Sequence, residues 1–87
     1  MAKSLKNSGK RLRRRRRALR LSLRDVQKAS AILAKRLRNP AFLVPASRLH
    51  AFETANTLPS IYRLYALAKV YKSNLSELLS WYGIPLN

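Results

Sequence analysis

Apolar residues recur along this chain at three- and four-residue spacing, the period of helices, and no segment reads convincingly as a strand. Val26, Ala29, Leu33 and Leu37 make the first full stripe. Ser22 stands before it with Asp25 at the third position beyond, so a hydroxyl and a carboxylate can both satisfy free N–H groups at a helix start. Asn39-Pro40 supplies the stop, because a residue that precedes proline is pushed out of the helical region. The pattern predicts a helix over about 23–38.

Upstream, residues 1–9 are polar and basic without periodicity, and a mobile arm is expected there. From Lys10 to Leu19 the apolar positions shrink to Leu12, Ala18 and Leu19, a thin stripe on a helix otherwise made of arginine. Downstream, Ala41 to Val44 is a short apolar connector between two prolines that tucks Phe42 toward the core. Pro45 suits the first turn of a third helix with Leu49 and Phe52 inward. Ser60 caps a fourth helix with Ile61, Leu64, Leu67, Ala68 and Tyr71 as its buried stripe. Asn74 and Glu77 open a fifth, carrying Leu75, Leu78, Leu79, Trp81 and Tyr82, which Gly83 and Pro85 end. Trp81, Tyr82 and Ile84 serve equally as closure of the core or as an exposed apolar patch.

These elements make an all-α chain of one domain. Its 87 residues bury a little over ~60% of the unfolded surface, enough for a helical core with little margin. Charge changes the picture most. The formal net charge is +16, with 19 Lys and Arg against three acids, and 10 of those cations lie in the first 20 positions, including the run Arg13 to Arg17. Such a chain repels itself until a polyanion compensates it, and nucleic acid is the commonest polyanion. Each phosphate met by Lys or Arg releases counterions, which gives affinity without sequence information.

Catalysis is not expected: Asp25, Glu53 and Glu77 are far apart, His50 is the one histidine, and two glycines make no phosphate loop. A lone histidine is more often a contact residue than a ligand, and with no cysteine present neither a metal nor a cofactor is implied. No apolar stretch approaches the ~20 residues of a membrane span, so no membrane partner is expected. The expected location is the cytoplasm, in association with the nucleoid.

The segment from Leu12 to Leu79 resembles the phage-repressor-like, Cro-type helix-turn-helix family. The resemblance is carried by Arg16, the run Leu21 to Val26, Ser47 to Glu53, Pro59-Ser60-Ile61, Leu64, Leu67-Ala68, and Asn74 to Leu79. It implies a five-helix repressor-like bundle spanning residues 10–83, between a basic arm at 1–9 and a tail at 84–87, with the third helix in the DNA major groove. It also implies dimers on paired half-sites about one helical turn apart. Arg16 and Glu53 match a pair that links helix 1 to the recognition helix in this family. Three departures stand out. Val26 and Leu49 are further apart than the family's tight turn allows, Arg15 occupies a usually apolar position, and Ala55 replaces a terminating glycine, leaving Asn56 to take the left-handed conformation.

Helical geometry gives a parallel account of helix 3. With Leu49, Phe52 and Glu53 inward, Ser47, Ala51 and Thr54 point outward, flanked by Arg48 and His50. By resemblance, Ala46, Ser47 and Ala51 fall on base-reading positions. Ser47 can bond a base edge or phosphate, Ala51 can touch a thymine methyl, and Arg48 can take a guanine or a phosphate. Lys10, Arg11, Arg13, Arg14, Arg17 and Arg24 are the candidate phosphate contacts, along the backbone or in a narrow minor groove. The expectation is a sequence-recognising regulator of double-stranded DNA. Two rivals remain: a nonspecific RNA- or nucleoid-binding protein in which arginine does nearly all the binding, and a module whose basic tail engages anionic lipid or an acidic protein.

Overall fold

Short polar side chains start most of the helices. Ser22 Oγ accepts the Asp25 N–H at 3.0 Å while Asp25 Oδ2 accepts the Ser22 N–H at 2.8 Å, closing the capping box. That second bond holds the Asp25 carboxyl below its usual range. Ser60 Oγ and Asn74 Oδ1 cap their helices through the Arg63 and Glu77 N–H groups. In the computed structural model, which describes residues 3–85, the elements are α1 Lys3–Ala18, α2 Leu23–Arg36, a 3-10 turn Pro40–Phe42, α3 Ala46–Thr54, α4 Ile61–Val70 and α5 Leu75–Trp81. No strand occurs among the described residues.

Each helix also ends locally. Arg20, Arg38, Asn56 and Lys72 take positive φ of 54–58°, and Gly83 takes 76°. At four of these ends the following N–H reaches back into the last turn: Leu21 to Arg16, Asn39 to Ala34, Ser73 to Ala68 and Ile84 to Leu79, at 2.9–3.1 Å. Three of the five left-handed residues are cations where glycine is the usual choice. A side chain there costs about 1–2 kcal/mol, partly offset by positive charge at the negative helix end.

α1 packs on α3 and α5, α2 packs on α3 and α4, and α4 packs on α5 and the 3-10 turn. Leu12, Val26, Val44, Leu49, Phe52, Leu64, Leu67, Tyr71, Leu78, Trp81 and Tyr82 fill the centre. Trp81 and Tyr82 therefore close the core, while Ile84 stays exposed. Phe42 packs edge-on against Tyr62 and Tyr65, with ring centroids 5.3 and 5.5 Å apart. The radius of gyration is 12.0 Å, which matches the ~12 Å of a compact chain of this length.

Four expectations need correction. Residues 3–9 are the first turns of α1, not a mobile arm, and Met1 and Ala2 lie outside the described residues. Gly9 and Ser8 are buried, and a methyl group at Gly9 would collide with the Glu53 carbonyl oxygen and come within 2.7 Å of Asn56 Oδ1. Absence of an apolar stripe hid this docking because the contact is made by backbone. α2 stops at Arg36, since Arg38 turns left-handed ahead of Pro40, and this throws Leu37 to the surface. Pro45 is the N-cap of α3, one residue before its first turn. Ile61 is exposed in the opening turn of α4, so the buried stripe starts at Leu64.

Candidate nucleic-acid interface

Nine residues of α3 divide by side. Leu49, Phe52 and Glu53 are buried, Ser47, Arg48, His50 and Thr54 are exposed, and Ala46 and Ala51 are half-buried. Thr54 Oγ1 donates to the His50 carbonyl at 2.8 Å and keeps its lone pairs available to a donor. The outward face carries a hydroxyl, an imidazole, a guanidinium and a second hydroxyl around the small side chain of Ala51. It bears no exposed acid, because the only carboxylate of α3 points inward.

That carboxylate sets the orientation of the helix. Arg16 Nε donates to Glu53 Oε2 at 2.7 Å and Arg16 Nη2 to Oε1 at 2.9 Å, a two-pronged bond, while Arg16 Nη1 donates to the Leu21 carbonyl at 2.9 Å. The Glu53 side chain is 2% exposed and that of Arg16 11%. The hydrogen bond to Glu53 holds the Arg16 guanidinium above its usual range, against the opposing effect of burial. A fork-shaped pair of this kind fixes angle as well as distance, so α1 determines how α3 presents its outer face. Arg13 adds a longer bond, its Nε 3.4 Å from Glu53 Oε1, and remains 39% exposed. Beside them Tyr71 is fully buried, and its hydroxyl is raised first by burial and then by the Glu53 charge.

The end of α3 is held as well. Asn56, left-handed as its position after Ala55 requires, accepts the Gly9 N–H on Oδ1 at 3.0 Å. At the other end, Gln27 Oε1 accepts the Ala46 N–H at 2.7 Å and supplies the cap that Pro45 lacks. The long connector is sewn to α2 by Ser30, whose buried Oγ accepts the Val44 N–H at 2.8 Å and donates to the Gln27 carbonyl at 2.9 Å. Arg63 Nε of α4 donates to the Leu43 carbonyl at 3.0 Å. Sequence reasoning missed these three residues. Ser30 offered a signal, since it sits one turn from Val26 on the inward side of α2, where a hydroxyl needs a partner. Arg15, anomalous at an apolar position, donates Nε to the Tyr71 carbonyl at 3.1 Å and so caps the end of α4.

The candidate phosphate contacts split. Lys10, Arg13, Arg14 and Arg17 line one open basic surface on α1. Arg11 turns to the other flank, where it joins Arg14, Arg15, Ala18 and Trp81 near α5. Arg24 is exposed in the first turn of α2 and lines neither surface. Among the described residues no group of three His, Asp or Glu side chains could hold a metal ion, and no helix is long and apolar enough to cross a membrane. No family model, curated protein or solved structure matches the chain.

Proposed function

We propose that this protein is a DNA-binding domain of the helix-turn-helix kind, a repressor-like regulator that sets α3 into the major groove and lays the basic surface of α1 along the phosphates. One observation carries the reading. The Arg16–Glu53 pair turns the only acid of α3 inward and leaves Ser47, Arg48, His50 and Thr54 outward on a helix whose angle is fixed. Reading base edges requires donors and acceptors held at a defined depth, and small residues such as Ala46 and Ala51 let the backbone approach the groove floor. Lys10, Arg13, Arg14 and Arg17 then supply sequence-independent affinity. The longer connector fits this role because Gln27, Ser30 and Arg63 anchor it without covering the outer face of α3. A dimer on two half-sites is the arrangement that the family resemblance favours.

Nonspecific binding of RNA or nucleoid DNA is the second reading, and the α1 surface favours it, since four cations on one side need no base contact. Site selection from random duplexes separates the two. A sequence reader returns a motif, and Ser47→Ala and Arg48→Ala then lose about 1–3 kcal/mol on the selected duplex while a scrambled duplex is little affected. Equal losses on both duplexes, or no motif, transfer the function to α1 alone. In either case log affinity falls with log salt at about −0.9 per phosphate contact, and a flat salt dependence removes nucleic acid as the partner.

A further inference from the structure

On the flank of α2 turned toward α4, Ala29, Ile32, Leu33 and Val70 form an apolar groove of about 260 Å3 with Arg36 and Lys69 on its rim. Ile32 is 62% exposed, the most exposed large hydrophobic side chain among the described residues. Its apolar surface gains from removal from water, and the fold itself leaves most of it uncovered. The opposite flank of α2 carries Gln27 and Ser30, which hold α3 and its connector. The groove therefore lies away from the candidate DNA-reading face, and its occupation leaves α3 unobstructed.

We propose that this α2–α4 groove is a docking site for an acidic amphipathic helix of a partner protein. The apolar floor asks for residues at helical spacing, and the two rim cations ask for carboxylates beside them. Charge decides the occupant. A second copy of this chain would bring another +16 and set Arg36 and Lys69 against their own counterparts, and no acidic side chain lines the groove to relieve that repulsion. Duplex nucleic acid has phosphates for the rim, while its base faces are stacked inside and its thymine methyls are scattered along the groove, so it offers Ile32 no continuous apolar ridge. An acidic helix satisfies both demands at once. The inference does not rest on the DNA-binding reading, because it uses residues outside that surface.

The probe is a synthetic peptide with leucines at i, i+3, i+4 and i+7 and glutamates elsewhere, compared with a scrambled peptide of the same composition. Both are titrated by fluorescence anisotropy at about 0.15 M salt, where loose attraction to so basic a chain is shared by the two. The groove predicts binding of the amphipathic peptide about tenfold tighter than of the scramble. Ile32→Asp, at an exposed position that leaves the helical circular dichroism intact, removes this preference. Arg36→Glu with Lys69→Glu removes it too, whereas Arg14→Glu on α1 weakens both peptides alike and preserves the ratio. Equal affinity of the two peptides for the unaltered protein overturns the proposal, as does a preference that survives Ile32→Asp. Self-association that Ile32→Asp abolishes overturns it in favour of a second copy.

Discussion

Replacing Arg16 by methionine keeps the bulk of its stem and removes its charge, leaving the Glu53 carboxylate 2% exposed with only the longer bond from Arg13 at 3.4 Å. Breaking a buried pair from one side costs about 3–5 kcal/mol, and the surviving Arg13 contact puts the expected loss near the lower end, about 3 kcal/mol. A chain of 87 residues has roughly 4–13 kcal/mol in total, so the melting temperature should drop by about 12–24 °C. Glu53→Met should cost less, about 2 kcal/mol, since the Arg16 head can swing toward water from a site 11% exposed. The double variant should recover about 2 kcal/mol relative to the sum, because neither charge is then left stranded. Urea denaturation followed by circular dichroism and by Trp81 fluorescence measures all three. Losses that add to within about 0.5 kcal/mol would refute the idea that one coupled pair fixes α3. Arg13→Met alone should cost under about 1 kcal/mol, as an exposed partner does.

Further tests address the backbone joints. Gly9→Ala should destabilise by about 1–3 kcal/mol in urea, despite the better helix propensity of alanine, because its methyl meets the Glu53 carbonyl. Ser30→Ala should cost about 1–3 kcal/mol and speed exchange of the Val44 amide, which loses its buried acceptor. Burial pushes the Tyr82 hydroxyl from its ordinary value near 10 up to about 12. A folded-state value above the unfolded one gives stability that is complete below about pH 10 and disappears as pH rises toward 12, so thermal melts should show an alkaline decline in that window, shallower in Tyr82→Phe.

Where apolar spacing and capping chemistry acted together, the chain was readable in advance. Ser22 with Asp25, Ser60 and Asn74 start helices where their short polar side chains said they would, and Leu49, Phe52 and Glu53 turn inward together. The Arg16–Glu53 contact, implied by resemblance, is present with two bonds. What escaped prediction has a common cause. Docking of Ser8 and Gly9 depends on the missing side chain of Gly9, and the seating of the connector depends on single hydrogen bonds from Gln27, Ser30 and Arg63. Neither leaves a periodic trace. Leu37 and Ile61 were misplaced because each sits at a helix end, where one left-handed residue or one capping turn decides the direction of the side chain.

Suspension of the connector from three side chains, Gln27, Ser30 and Arg63, has a consequence for how this chain tolerates change. α3 takes its angle from α1, through Arg16, and its first N–H donates to Gln27 Oε1, so residues 37–43 carry little of the orientation. Closing a longer flexible loop costs only about 0.6 kcal/mol per doubling of its length. Between Leu37 and Pro40 the chain can be lengthened with small penalty where the Arg38 turn, the packing of Phe42 and the bond of Ser30 to Val44 are all kept. The spacing between the second and third helices can then vary within those anchors, while the outer surface of the third keeps its aim.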